Sequence, residues 1–241
     1  MMDKYFDDGH TRAKALKNRG PIRFERDGKL SKDISDAYSE YGFYIFESVL
    51  ASDELADIKA DVEHILNRAP VRKNAESDLS GNTPLGFGCE APTFFWAPPL
   101  SDPFGATDAA GGRHPVKMPE PKAEKGVTDE AIFLILGSLQ FSNACLRTYG
   151  HPQLLRVAEA INGSDFTPFN EALFIKKPGI GASVAWHQDG LTHWDSEDFD
   201  EGTHGFNFMA QLYGSTARNG VWVCLLYTSD AADEEDSVDL G

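Results

Sequence analysis

The stretch Trp186-His187-Gln188-Asp189-Gly190 carries the most information in this 241-residue chain. Because side chains alternate between the two faces of a strand, a strand over about residues 184–190 would turn His187 and Asp189 to the same side. An imidazole and a carboxylate on one face can fill two positions on a divalent metal. A second histidine from elsewhere would complete the two-histidine, one-carboxylate triad, which leaves positions open on iron(II) for a cosubstrate and oxygen. The spacing therefore predicts two ligands of an iron site.

His-x-Asp is weak evidence alone, because a chain with 7 histidines is expected to hold roughly one chance match. The flanking segments add support. An apolar run over 172–179 ends in Lys177-Pro178-Gly179 and predicts a strand and a turn before the metal strand. Downstream, 205–213 predicts another strand, and Asn219-Gly220 predicts a type I′ hairpin leading into a strand at 221–223.

Lys-Pro-Gly, Trp-His-Gln-Asp-Gly, the next strand and Asn-Gly together resemble the phytanoyl-CoA dioxygenase family of iron(II)/2-oxoglutarate enzymes. The resemblance continues upstream, where a short strand within 41–46 precedes an amphipathic helix that starts at Ser52 and stops before Pro70. A further helix is predicted over about 152–161, closed by Asn162-Gly163. The similarity covers most of residues 35 to 223 and is weakest over 71–130.

The resemblance implies an α+β fold in which a double-stranded β-helix core, of the jelly-roll or cupin-like kind, is flanked by N-terminal helices over about 35–70. It also implies a dioxygenase that uses Fe(II) and 2-oxoglutarate to hydroxylate a small-molecule or lipid-derived substrate. His187 and Asp189 would be its catalytic metal ligands. Lys177 matches the family's Lys-Pro position and is predicted to favour binding of the 2-oxoglutarate carboxylate, with an exposed turn lysine as the alternative.

Gln211 and Trp194 are predicted to contact substrate. Gln211 is the better candidate, because an amide among apolar residues on an interior strand face needs a hydrogen-bond partner. His193 and His204 are the histidines that follow Asp189. We interpret the first as a loop or pocket residue and the second as a turn residue, although each could act as the remaining metal ligand.

The sequence changes character at about residue 224 and becomes acidic and rich in small residues, resembling a translated sequencing adapter. We therefore expect a partial oxygenase domain over 1–223 and a non-native tail over 224–241. The family's distal histidine and its 2-oxoglutarate-binding arginine come later than Val223, so the fragment is expected to be incomplete and inactive. Two alternatives remain: a catalytically silent β-helix module that binds a ligand, and a cupin-type metal enzyme of other chemistry.

Composition and charge limit the partners and the compartment. The formal net charge is -16, and residues 1–223 still carry -10 once the six acids of the tail are left out. An acidic balance of that size disfavours nucleic acid and anionic membranes as partners, and the resemblance implies a small-molecule substrate. Cys89, Cys145 and Cys224 show no paired spacing, which predicts a reducing intracellular compartment. Neither a signal peptide nor a membrane-spanning run is predicted.

Two further segments carry structural expectations. Residues from about 98 to 126 are rich in Pro, Gly, Ala and Asp and hold no periodic apolar pattern, which predicts a lid or a passive surface insertion. The lid would be anchored by the aromatic residues 94–96. The apolar run 132–136 and the residues that follow it, 139–146, fit a buried helix or strand, and we favour a helix.

Overall fold

The described residues form both helices and short strands, which agrees with the mixed helix and sheet content that the prediction requires. The computed structural model describes residues 2–101, 123–124, 126–168, 170–182, 184 and 205–223. The elements are α1 (Met2–Ala15), β1 (Arg19–Gly20), α2 (Lys32–Tyr41), β2 (Ile45–Phe46), α3 (Ser52–Asn67), β3 (Phe94–Ala97), β4 (Ala131–Leu136), a 3-10 helix (Ser138–Gln140), α4 (Asn143–Tyr149), α5 (Pro152–Asn162) and β5 (Ala172–Phe174).

The described residues fall into two compact units. The first unit takes its residues from Met1–Ser52, Pro152–Phe166 and Asn207–Gly241. In it, β1 and β2 pair in parallel, and the core forms where Leu30, Ile34 and Val157 bury their side chains together. The predicted helix over 152–161 is confirmed as α5.

The second unit takes its residues from Asp53–His151 and Thr167–Phe206. Its sheet has the order β3-β4-β5, with both pairings antiparallel. The predicted helix from Ser52 is confirmed as α3, and it buries the side chains at the helical spacing Ile58, Val62 and Ile65. Within the described ranges, no helix is long and apolar enough to cross a bilayer.

The prediction of a helix over 132–136 is wrong, because these residues form the central strand β4. The run is short for a helix, and Gly137, with φ at 75°, ends it at once. Backbone groups of β4 pair with β3 on one side and β5 on the other. The prediction of a helix is confirmed only for the residues that follow, 139–146, most of which belong to the 3-10 helix and to α4.

The strand predicted over 205–213 is also wrong, since these residues are irregular and end in a turn. A run with strand-forming residues becomes a strand only when a neighbouring strand accepts and donates backbone hydrogen bonds. The sheets of the described residues provide no such neighbour for 205–213.

The type I′ hairpin at Asn219-Gly220 does not form, because that turn needs positive φ at both central residues and neither residue has it. Instead, the carbonyl of Thr216 accepts from Asn219 N at 3.2 Å and from Gly220 N at 2.7 Å. The Asn219 side chain accepts from Thr216 N at 2.7 Å, which stabilises this different turn. Residues 221–223 are correspondingly irregular.

The long loop after α3 is organised by one buried carboxylate. Asp78, whose side chain is 0% exposed, accepts from Arg68 Nε at 2.7 Å. Its other oxygen accepts from the backbone amides of Ser80 and Asn82, each at 2.9 Å. Arg68 also donates to the carbonyl of Thr83 at 2.8 Å. The end of α3 and the loop are thereby joined through a charged pair whose hydrogen bonds are satisfied.

A second carboxylate links α3 to α4. Asp61 accepts from Ser142 Oγ at 2.7 Å and from Ala144 N at 3.1 Å. Ser142 is the N-cap of α4 and in turn accepts from Cys145 N at 2.9 Å. Asp61 therefore satisfies the start of a helix more than eighty residues away in sequence.

Replacing Asp61 tests this link. Asp61→Ala leaves the Ser142 hydroxyl and the Ala144 amide without their acceptor, so the free energy of unfolding is expected to fall by about 1–2 kcal/mol. Urea denaturation of the full chain measures this free energy of unfolding. Asp57→Ala is the matched control, because Asp57 lies one turn earlier on α3 and pairs with Arg147 on the surface, where ion pairs contribute about 0–1 kcal/mol. Equal losses for both variants would contradict the link.

The same carboxylate gives a pH dependence. The hydrogen bond from Ser142 lowers the pKa of Asp61, aided by Ala144 N and nearby positive charge and opposed by burial. Because the folded pKa is depressed, the contribution of Asp61 is complete above its unfolded value of about 3.9 and disappears as pH falls through the folded value. Unfolding curves from neutral to acid pH should show this loss in the wild type. Asp61→Asn should lack it, and identical pH profiles would contradict the assignment.

Candidate functional site

The approach segment, residues 175–182, leads towards the predicted metal strand and is tied to the sheet of the second unit. Ile175 N donates to the carbonyl of Phe133 in β4 at 2.8 Å, which extends the β4–β5 ladder by one bond. Leu100 N donates to the carbonyl of Ile180 at 3.0 Å. These two backbone bonds lie on either side of a turn, so they hold both ends of that turn.

The turn itself confirms the predicted strand-and-turn pattern. The carbonyl of Lys177 accepts from Ile180 N at 3.1 Å and from Gly181 N at 2.7 Å. Gly179 has φ at 72°, a conformation in which glycine avoids the strain of a side chain. Lys177-Pro178-Gly179 is therefore a tight turn immediately after β5.

The last residue of the approach segment, Ala182, is buried in the sheet core. Ala182 is 6% exposed and packs in a cluster with Ala97, Phe133 and Leu134. His187 follows Ala182 by five positions in the sequence. The core of the second unit thus fixes the chain shortly before the two predicted ligands.

The predicted ligands His187 and Asp189, the substrate candidate Trp194 and the alternative ligands His193 and His204 lie outside the described residues. Their roles stay predictions. Within the described part of the chain, no group of three His, Cys, Asp or Glu side chains could hold a metal ion. In donor chemistry, an imidazole and a carboxylate suit iron(II).

The structure places the two other site candidates in different units. Lys177 lies in the second unit, in the turn of the approach segment, and its side chain is exposed. Gln211 lies in the first unit and is also exposed. Gln211 was expected on the interior face of a strand over 205–213. These residues are irregular, so there is no such strand face. The proposed roles of both side chains stay predictions.

An open cleft in the second unit adjoins β3 and the end of β4. Phe95 and Leu136 supply apolar lining, whereas Glu90, Thr93 and Gln140 contribute polar atoms. Mixed linings of this kind suit small organic ligands. The sequence analysis missed these polar residues because no local motif marks them. Pairing of Leu136 N with the carbonyl of Thr93, at 3.0 Å, brings distant parts of the sequence to the cleft.

Comparison with known proteins identifies the class of this mixed helix and sheet protein. The chain matches the family phytanoyl-CoA dioxygenase (PhyH) over residues 38–227, which is more than three quarters of its length. The chain belongs to the phytanoyl-CoA dioxygenase family, as its motifs predict. Neither the curated proteins nor the solved structures give a match.

Membership has a direct consequence for the class of activity. The family is of the cupin or jelly-roll type and suggests an oxygenase that depends on iron and 2-oxoglutarate. The match includes the approach segment, the His187-Gln188-Asp189 motif and α5. It begins after α1 and the first part of α2, and it extends four residues beyond Val223.

The approach segment can be tested at Gly181. An added Cβ would lie 2.6 Å from Lys176 Cα and 2.9 Å from Lys176 C, which are backbone atoms that cannot rotate away. Gly181→Ala is expected to lower the free energy of unfolding by about 1–3 kcal/mol, the usual cost of overpacking. Gly205→Ala is the control, because its added Cβ meets nothing within 4 Å. Thermal unfolding of both variants measures the difference in stability. Equal midpoint temperatures would contradict the close approach of residue 181 to the Lys176 backbone.

Proposed function

We propose that this chain carries the metal-binding part of an iron(II)/2-oxoglutarate-dependent dioxygenase, with His187 and Asp189 as two of the metal ligands. The observation that carries the proposal is the family match, which contains the His-x-Asp motif a few residues after an anchored strand and turn. Asp189 supplies the carboxylate and His187 the imidazole of a facial triad.

Each of the predicted ligands, and the predicted cosubstrate-binding lysine, has a defined task in this proposal. His187 and Asp189 hold the metal through one nitrogen and one oxygen. Lys177 attracts the anionic cosubstrate by its positive charge. When bound, iron(II) with 2-oxoglutarate supplies the oxidising chemistry that hydroxylates a C–H bond. Apolar residues around the site would exclude water and orient the substrate.

The proposed fold is a double-stranded β-helix. Its support is the antiparallel sheet β3-β4-β5, which leads through the approach segment into the motif. Antiparallel jelly rolls close two sheets around a core, and metal sites of cupins lie inside them. The remaining strands of such a fold would come from residues beyond the described part of the chain.

The proposed substrate is a small molecule or a lipid-derived molecule, with Gln211 and Trp194 as contacts. The acidic balance of residues 1–223, -10 in formal charge once the six acids of residues 224–241 are left out of the total of -16, argues against polyanionic partners. The cleft with Phe95 and Leu136 in its lining offers apolar surface for such a ligand. The segment 98–126 stays the proposed lid, although most of it lies outside the described residues.

We also propose that the residues from about 224 onward, apart from the four that the family match still includes, are not part of the oxygenase domain and that the chain is inactive as it stands. The support is the abrupt change to acidic and small residues at about residue 224. Resequencing the gene tests this proposal. A reading frame that continues from Val223 into a later histidine and arginine would support it, whereas a transcript that encodes the acidic residues would contradict it.

Metal binding tests the two ligands directly. Titration of the chain with Co(II), a spectroscopic substitute for Fe(II), should give absorption changes that His187→Ala and Asp189→Ala each weaken by at least about tenfold in affinity, because each removes one of few ligands. His193→Ala and His204→Ala are matched controls and should bind as the wild type does.

The controls separate the proposal from its alternatives. Loss of Co(II) affinity in His193→Ala or His204→Ala would assign a third ligand inside this chain and favour a cupin-type enzyme of other chemistry. Unchanged affinity in His187→Ala and Asp189→Ala would remove the iron proposal and leave a silent ligand-binding module. Release of succinate from 2-oxoglutarate by the chain itself would contradict the proposed inactivity.

A further inference from the structure

The N-terminal helix α1 packs against a segment from the other end of the described chain. The Trp222 indole stacks on the Tyr5 ring, with centroids 5.0 Å apart and planes at 12°. The same indole lies 6.3 Å from the Phe6 ring. Trp222 Nε1 donates to the carbonyl of Ala217 at 2.8 Å, so the indole is held by its own segment as well as by α1.

Gly9 makes this contact possible. Tyr5 and Gly9 are four residues apart on α1 and therefore lie one above the other on the same face. A Cβ at residue 9 would lie 2.8 Å from Cζ3 of Trp222 and nearer still to Cη2. Glycine weakens a helix relative to alanine, but here it leaves the space that the indole fills.

A second row of α1 residues contacts Arg218. Arg218 forms an ion pair with Asp3 and lies 5.0 Å above the centroid of the Phe6 ring. Asp3 and Phe6 are three residues apart, so they are neighbours on the helix surface. An ion pair and a cation–π contact thus act beside the aromatic stack. Arg218 N donates to Thr216 Oγ1 at 3.2 Å, and the neighbouring Ala217 carbonyl accepts from Trp222, so both side chains are linked to the Thr216 turn.

We propose that α1 is a latch, and that its Tyr5, Phe6 and Gly9 face fixes the 214–223 segment. Helix α1 precedes the family match, which begins at residue 38, whereas Trp222 lies within it. The latch positions a part of the oxygenase domain that follows the metal motif in sequence. It does not depend on the proposed iron chemistry.

The test measures hydrogen exchange in the full chain. Gly9→Ala makes α1 a better helix former and at the same time drives a methyl group into Trp222. If α1 is a latch, amides of the 214–223 segment should exchange about tenfold faster, of the order expected when an aromatic contact is lost. Asp8→Ala is the matched control, because Asp8 is an exposed neighbour on α1. It improves helix propensity without reaching Trp222, so the rate should stay at the wild-type value.

Two further measurements keep the outcome unambiguous. Exchange in α3, which lies in the second unit apart from its first residue, should not change in Gly9→Ala. In a Trp222→Ala background the added methyl meets no indole, so Gly9→Ala should cause no further acceleration. Wild-type exchange of the 214–223 segment in Gly9→Ala, parallel acceleration in α3, or an additive effect in the double variant would each overturn the latch.

Discussion

The central strand β4 is the constraint on which the second unit depends. Its backbone is paired on both sides, by β3 and β5, and its bond with Ile175 continues the ladder into the approach segment. Buried Phe133 and Leu134 of β4 also receive Ala182 at the end of that segment. One strand therefore supplies both the hydrogen bonds and the apolar surface that orient the chain towards the predicted metal ligands.

Charged side chains complete this arrangement at points where backbone groups would otherwise lack partners. Asp78 neutralises Arg68 and accepts two loop amides, and Asp61 satisfies the start of α4. Buried carboxylates are tolerated when their oxygens are paired in this way. The two acids thus stabilise the loop after α3 and the start of α4.

In the first unit, a helix outside the family match contacts a segment inside it. Helix α1 contributes an aromatic surface with a gap at Gly9, and Trp222 fills it. The short parallel pair β1–β2 and the core around Ile34 and Val157 complete this unit. Holding two distant segments together costs chain entropy. The aromatic stack and the ion pair between α1 and the 214–223 segment must together offset that cost.

The sequence by itself determined α3, α5, the turn at Lys177-Pro178-Gly179 and the family, because each depends on local spacing or on a short motif. Only tertiary structure decided that 132–136 is a strand and that 205–213 is not, since strands require partners that local sequence does not specify. The packing of Trp222 against α1 could not be predicted from the sequence either, because it joins residues more than two hundred positions apart. For the site, sequence supplied His187 and Asp189, and the fold supplied the anchored chain that leads to them.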